Sequence, residues 1–82
     1  MLRPPTPLKF EQITDGPLNV PLKATSIRFS AGSLGVRWRD DGVAPTPTVG
    51  HIVRVHQTFL YIGDLTKIQF NGTVEVTYYH EA

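Results

Sequence analysis

The sequence predicts an all-β fold: a small antiparallel β-sandwich or jelly-roll-like barrel of about six to eight short strands, with an extended N-terminal arm. Three observations carry this. Apolar and polar residues alternate with period 2 in several short runs, and no segment sustains a period of 3.6. Seven prolines and seven glycines in 82 residues leave no interval for a long helix. Turn-forming groups, among them Asp15-Gly16-Pro17 and Asn71-Gly72, separate the runs at short intervals. A chain of 82 residues has room for one domain, so residues 1–7 read as the arm and residues 8–82 as a single sandwich.

The arm contains Pro4, Pro5 and Pro7, which lack amide donors and favour polyproline geometry. It is expected to lie on a neighbouring subunit, with Leu2 in an apolar groove and Arg3 near an acidic group. Leu8 to Ile13 reads as a first strand, ended by the Asp15-Gly16-Pro17 turn. In the next segment Pro21 allows only an edge strand or an extended loop. Ser26 to Ser30 is a strand with Ile27 and Phe29 inward and Arg28 outward; in Leu34 to Arg39, Leu34, Val36 and Trp38 share one face. A hairpin joining these two would set Phe29 opposite Leu34 and Ile27 opposite Val36. Asp40, Asp41, Gly42, Pro45, Thr46 and Gly50 mark an ordered loop, in which the aspartates bond backbone amides. Ile52 to Val55 and Phe59 to Ile62 are two further strands. Phe59, Leu60, Tyr61 and Ile62 have no polar face, so one side of the run is expected to meet another chain. Thr66 to Phe70 and Thr73 to Tyr79 flank Asn71-Gly72, a strong hairpin signal. A three-residue loop there sets Ile68 opposite Val74 and Lys67 opposite Glu75, with Phe70 in the loop. The inward set is then Ile27, Phe29, Leu34, Val36, Trp38, Ile68, Val74, Val76 and Tyr78.

Several chemistries find no support in these residues. Without cysteine there is no disulfide, thiolate metal site or thiol nucleophile. His51 and His56 differ by an odd number and would face opposite sides of one strand; Asp40-Asp41-Gly42 lacks the spaced oxygen ligands of a calcium loop. No Gly-x-Ser-x-Gly elbow or phosphate-binding loop is present, so neither catalysis nor a cofactor is expected. A formal charge of +1 does not suit bulk-charge binding of nucleic acid. Arg28, Arg37 and Arg39 share an outer face on which no aromatic ring offers a stacking platform, which argues against a single-strand binder. No apolar run spans a bilayer, and Met1-Leu2-Arg3-Pro4-Pro5 does not read as a signal peptide. Asn71-Gly72-Thr73 matches the glycosylation pattern but reads as a turn.

A longer pattern runs through the chain: Val36-Arg37-Trp38-Arg39-Asp40-Asp41-Gly42-x-x-Pro45-Thr46-x-x-x-Gly50, then Tyr61-x-Gly63-Asp64-Leu65-x-x-Ile68-x-Phe70, then Val74-x-Val76-x-Tyr78-Tyr79. Over roughly residues 18 to 79 it resembles small β-sandwich structural proteins of tailed bacteriophages. Asn71-Gly72 shortens the loop that such relatives carry before the last strand. The resemblance implies a non-enzymatic virion component, a capsid decoration or minor capsid protein that contacts copies of itself and a larger shell protein. By analogy with decoration proteins it implies a trimer or another symmetric ring. A tail-associated receptor- or carbohydrate-binding module is the alternative, with a single-strand nucleic-acid-binding barrel behind it. The resemblance brings no catalytic residues.

Overall fold

The computed structural model describes residues 6–80; Leu2, Arg3 and the rest of 1–5 lie outside them. The fold is all-β. Strands β1 (Thr6–Pro17), β2 (Ser26–Ala31), β3 (Val36–Arg39), β4 (His51–Val53), β5 (Thr58–Ile62) and β6 (Gln69–His80) form one antiparallel sheet that curls on itself, with a 3₁₀ turn at Leu65–Lys67. The path is β4-β3-β6-β2-β5, and β1 lies along the other side of β6.

The long β6 organises everything. β1 pairs with it from Thr6↔His80 to Pro17↔Gln69. On its opposite edge β2 pairs with residues 74–79 and β3 with residues 69–71. β2 and β3 therefore follow one another along β6 and do not form a hairpin. The expected pairs Phe29–Leu34 and Ile27–Val36 are absent, and Leu34 lies in the connection at 83% exposure. Asn71-Gly72 likewise makes no hairpin. It sits inside β6, so the pairs Ile68–Val74 and Lys67–Glu75 do not form, and Phe70 is buried. Thr66 and Lys67, expected to open a strand, lie instead in the 3₁₀ turn, which the Asp64 carboxylate caps by accepting the Thr66 amide. At the other end Thr6 and Pro7 belong to β1 and not to an arm, Pro7 lying opposite Tyr79.

Strands β1 and β6 bend at one level. Gly72 in β6 has φ +108, and Asp15 and Gly16 in β1 have φ +54 and +102 where the β1–β6 register shifts. The Asp15 carboxylate accepts the Gly72 amide at 2.7 Å, and Ser33 Oγ accepts the Thr73 amide at 3.1 Å. The Gly32 amide donates to the Thr73 carbonyl at 2.8 Å. Backbone groups freed by the bend are satisfied in this way. The bend folds β3 and β4 over β2 and β5. Between them lie Ile13, Leu18, Ile27, Phe29, Val36, Val53, Leu65, Ile68, Phe70, Val74, Val76 and Tyr78. Trp38, expected inward, is half-buried against this core.

Candidate functional site

β5 forms because Thr58-Phe59-Leu60-Tyr61-Ile62 is wholly β-branched, aromatic or leucine. It pairs with β2 in unbroken register, from Ser26↔Ile62 to Ser30↔Thr58. Phe59 and Tyr61 turn inward. The Phe59 ring stacks on Phe29 at 5.5 Å, and Tyr61 meets Trp38 edge-on at 5.8 Å. Leu60 and Ile62 turn outward and are 59% and 62% exposed. The run is thus buried on one face only within a single chain. Across the outer face the register lines up Phe10, Thr77, Arg28 and Leu60 in one row; in the next, Pro7, Tyr79 and Ile62 flank a Ser26 that is fully buried. Phe10 is exposed as well, and the Arg28 guanidinium lies 5.8 Å from the Tyr79 ring centroid.

The loop from Asp40 to Gly50 is tied down at several points. Arg37 reaches back from β3 to donate to the Pro47 carbonyl at 3.1 Å and the Gly50 carbonyl at 2.8 Å. Pro45 is buried. Thr46 and Val49 exchange backbone bonds at 2.9 and 3.3 Å, and Thr46 Oγ1 also accepts the Val49 amide. Gly42 donates to the Lys67 carbonyl and accepts from Gln69 Nε2, each at 3.0 Å. At Gly50 (φ +132) a Cβ would sit 2.9 Å from Pro45 Cβ and 3.1 Å from the Trp38 carbonyl oxygen, so only glycine fits this closure. Asp41 accepts the Val43 amide and pairs with Arg39, whose hydrogen bond holds its carboxyl at about 2 against the opposing pull of desolvation. Asp40, expected to bond an amide, accepts the Tyr61 hydroxyl instead, at 3.0 Å. The loop is therefore fastened to the C-terminal end of β5.

Two of the three arginines predicted on the outer face are engaged by this loop, leaving Arg28 on the sheet. Beside the loop, Trp38 lies 4.9 Å from the His51 ring, and its Nε1 is buried with no hydrogen-bond partner among the described residues. No group of three or more metal-ligating side chains converges among the described residues, and His80 Nδ1 sits against the Lys23 carbonyl. Among the described residues no helix is long and apolar enough to cross a membrane.

No known protein family, curated protein or solved structure matches this chain. Its chemistry rests on its own residues.

One polar centre was not anticipated. Glu11 shares the inward parity of Ile13, which is the signal that could have revealed it. The buried Tyr78 hydroxyl donates to its Oε1 at 2.8 Å and accepts the Asn19 amide at 3.1 Å. Lys9 Nζ lies 2.8 Å from Oε2. Desolvation pushes the Glu11 carboxyl up, but the bonds from Lys9, Tyr78 and Asn19 together outweigh it and hold the group below its ordinary 4.5. The same burial, with the carboxylate as partner, raises the Tyr78 hydroxyl. A carboxyl depressed in the folded state stabilises above its unfolded value, and that stabilisation is lost as pH falls through the folded value. Melting temperature is expected to drop below pH 4.5, and Glu11→Gln to show less of that drop than the unaltered chain. Parallel acid profiles of the two would refute the assignment.

Proposed function

We propose that this protein is a non-enzymatic structural component of a tailed-phage particle. In this reading it is a capsid decoration or minor capsid protein, stabilising the shell through contacts with copies of itself and with a larger shell protein. The resemblance across residues 18 to 79 supplies the virion context. The observation that carries the contact chemistry is the β5 edge, where Leu60 and Ile62 are exposed on a strand paired on one side only among the described residues. A surface of that kind removes apolar area from water when another chain covers it. Peptide mass spectrometry of purified particles is expected to find the chain in many copies, and imaging to find it at repeated positions on the shell. Its absence from purified particles would end this reading.

A second reading, a tail-associated carbohydrate-binding module, is favoured by one observation. Trp38, His51 and Tyr61 cluster at the surface beside Asp40, and sugars stack on aromatic faces flanked by carboxylates. Trp38 is the sole tryptophan, so its fluorescence would report oligosaccharide binding directly.

A further inference from the structure

We propose that the β5 edge is a two-fold interface, on which a second copy of this chain lays its own β5 antiparallel with Leu60 at the axis.

Three sheet edges are open among the described residues: those of β1, β4 and β5. Two carry the devices that keep edges from pairing. β1 holds Pro7 and Lys9 and breaks register twice along β6. β4 is only three residues long. β5 has neither proline nor charge, and its register is unbroken over five residues.

The pattern of β5 selects its occupant. Reversed upon itself about Leu60, the strand sets Phe59 opposite Tyr61 of the second copy, Thr58 opposite Ile62, and Leu60 opposite itself. Aromatic and apolar cross-strand pairs of this kind stabilise a ladder. Any other centre shortens the overlap. The flanks agree. Arg54 precedes the strand; Asp64 follows it, and Asp40 is held at its C-terminal end by the Tyr61 hydroxyl. Antiparallel pairing sets each basic flank beside the other copy's acidic flank, whereas parallel pairing would set like beside like. A two-fold contact consumes this edge and closes, where an open-ended contact would propagate. The outer row would then run unbroken from Phe10 through Arg28 and Leu60 into the same residues of the second copy in reverse.

The inference rests on the assembly reading above, yet it can fail separately. The chain contains no cysteine, so Leu60→Cys introduces a single thiol. Two-fold pairing holds the two Cα atoms about 4.5–5.5 Å apart, inside disulfide reach. Leu22→Cys, 88% exposed and outside β5, sets the reference rate. Under mild oxidation Leu60→Cys is expected to form cross-linked dimer about 10-fold faster or more, because pairing raises the effective thiol concentration. Light scattering on the unaltered chain is expected to give the mass of two chains. Leu60→Lys, at an exposed position and checked for folding by circular dichroism, is expected to give one. Equal cross-linking rates, a three-chain mass, or a one-chain mass for the unaltered chain at every concentration would overturn the proposal. A monomer that is nonetheless present on purified particles would retire the two-fold and keep the virion role. A dimer absent from particles would do the reverse.

Discussion

Replacing Phe29 with alanine is expected to lower the free energy of unfolding by about 3–5 kcal/mol. The ring is 1% exposed. It meets Trp38 and Phe70 edge-on at 5.3 and 5.2 Å and stacks on Phe59 at 5.5 Å. Those neighbours come from β3, β6 and β5, so truncation opens a cavity where the two halves of the curled sheet meet. They cannot all relax into it, since each is fixed in a different strand. A domain of this size has roughly 4–12 kcal/mol of stability in total, so this one truncation removes a large fraction of it. Urea titration followed by Trp38 fluorescence measures the loss. Leu34→Ala, at an exposed site, is the reference and should move stability by no more than about 0.5 kcal/mol. Similar midpoints for the two variants would mean that the core has been placed wrongly.

The second large effect is at the corner. Gly72→Ala is expected to destabilise by about 2–5 kcal/mol, from backbone strain at positive φ together with overpacking. At φ +108 a Cβ would stand 3.0 Å from Val36 Cγ2 and 3.2 Å from Val36 Cα. Val36 is fully buried in β3 and has nowhere to move. Gly16→Ala separates the two causes. Its φ of +102 is nearly the same, but nothing lies within 4 Å of the added carbon. Strain alone should then cost about 1–2 kcal/mol. If denaturation midpoints show Gly16→Ala to be as damaging as Gly72→Ala, the close approach of β3 to β6 is not what fixes glycine there.

That corner also explains what could and could not be read from the sequence. Period-2 alternation placed Ile27, Phe29, Val36, Ile68, Val74, Val76 and Tyr78 on the inner face, and all seven are buried. Alternation is a local property, and a strand keeps it whatever it pairs with. Strand partners are not local. Asn71-Gly72 supplies a positive φ that serves a tight turn or a kink within one long strand equally well. What decides is Asp15, 57 residues away, whose carboxylate takes the Gly72 amide while β1 runs past on the same edge. The expected hairpin of Ser26–Ser30 with Leu34–Arg39 fails for the same reason: β6, not β3, lies beside β2. The candidate site divides along the same line. The exposure of Leu60 and Ile62 follows from an apolar run too long for one thin core. The anchoring of the 40–50 loop by Arg37, and of Asp40 by Tyr61, required knowing which strands lie next to which.

The central position of β6 also sets the order of events when the chain folds. Among the described residues only the β3–β4 pairing is between neighbouring strands in sequence; β2 can meet β5 before β6 emerges, but β1 has no other partner and nothing else joins β2 to β3, so both junctions wait for residues 69–80. On the ribosome, a chain of which everything before residue 69 has emerged still lacks the strand that joins its two halves. Folding must then follow emergence of β6, and closing loops as long as Thr6 to His80 makes it a slow search, on the order of milliseconds to seconds. Through that interval the unprotected Thr58–Ile62 segment is exposed in every nascent copy, so the edge that suits assembly is also where premature association between unfinished chains would begin.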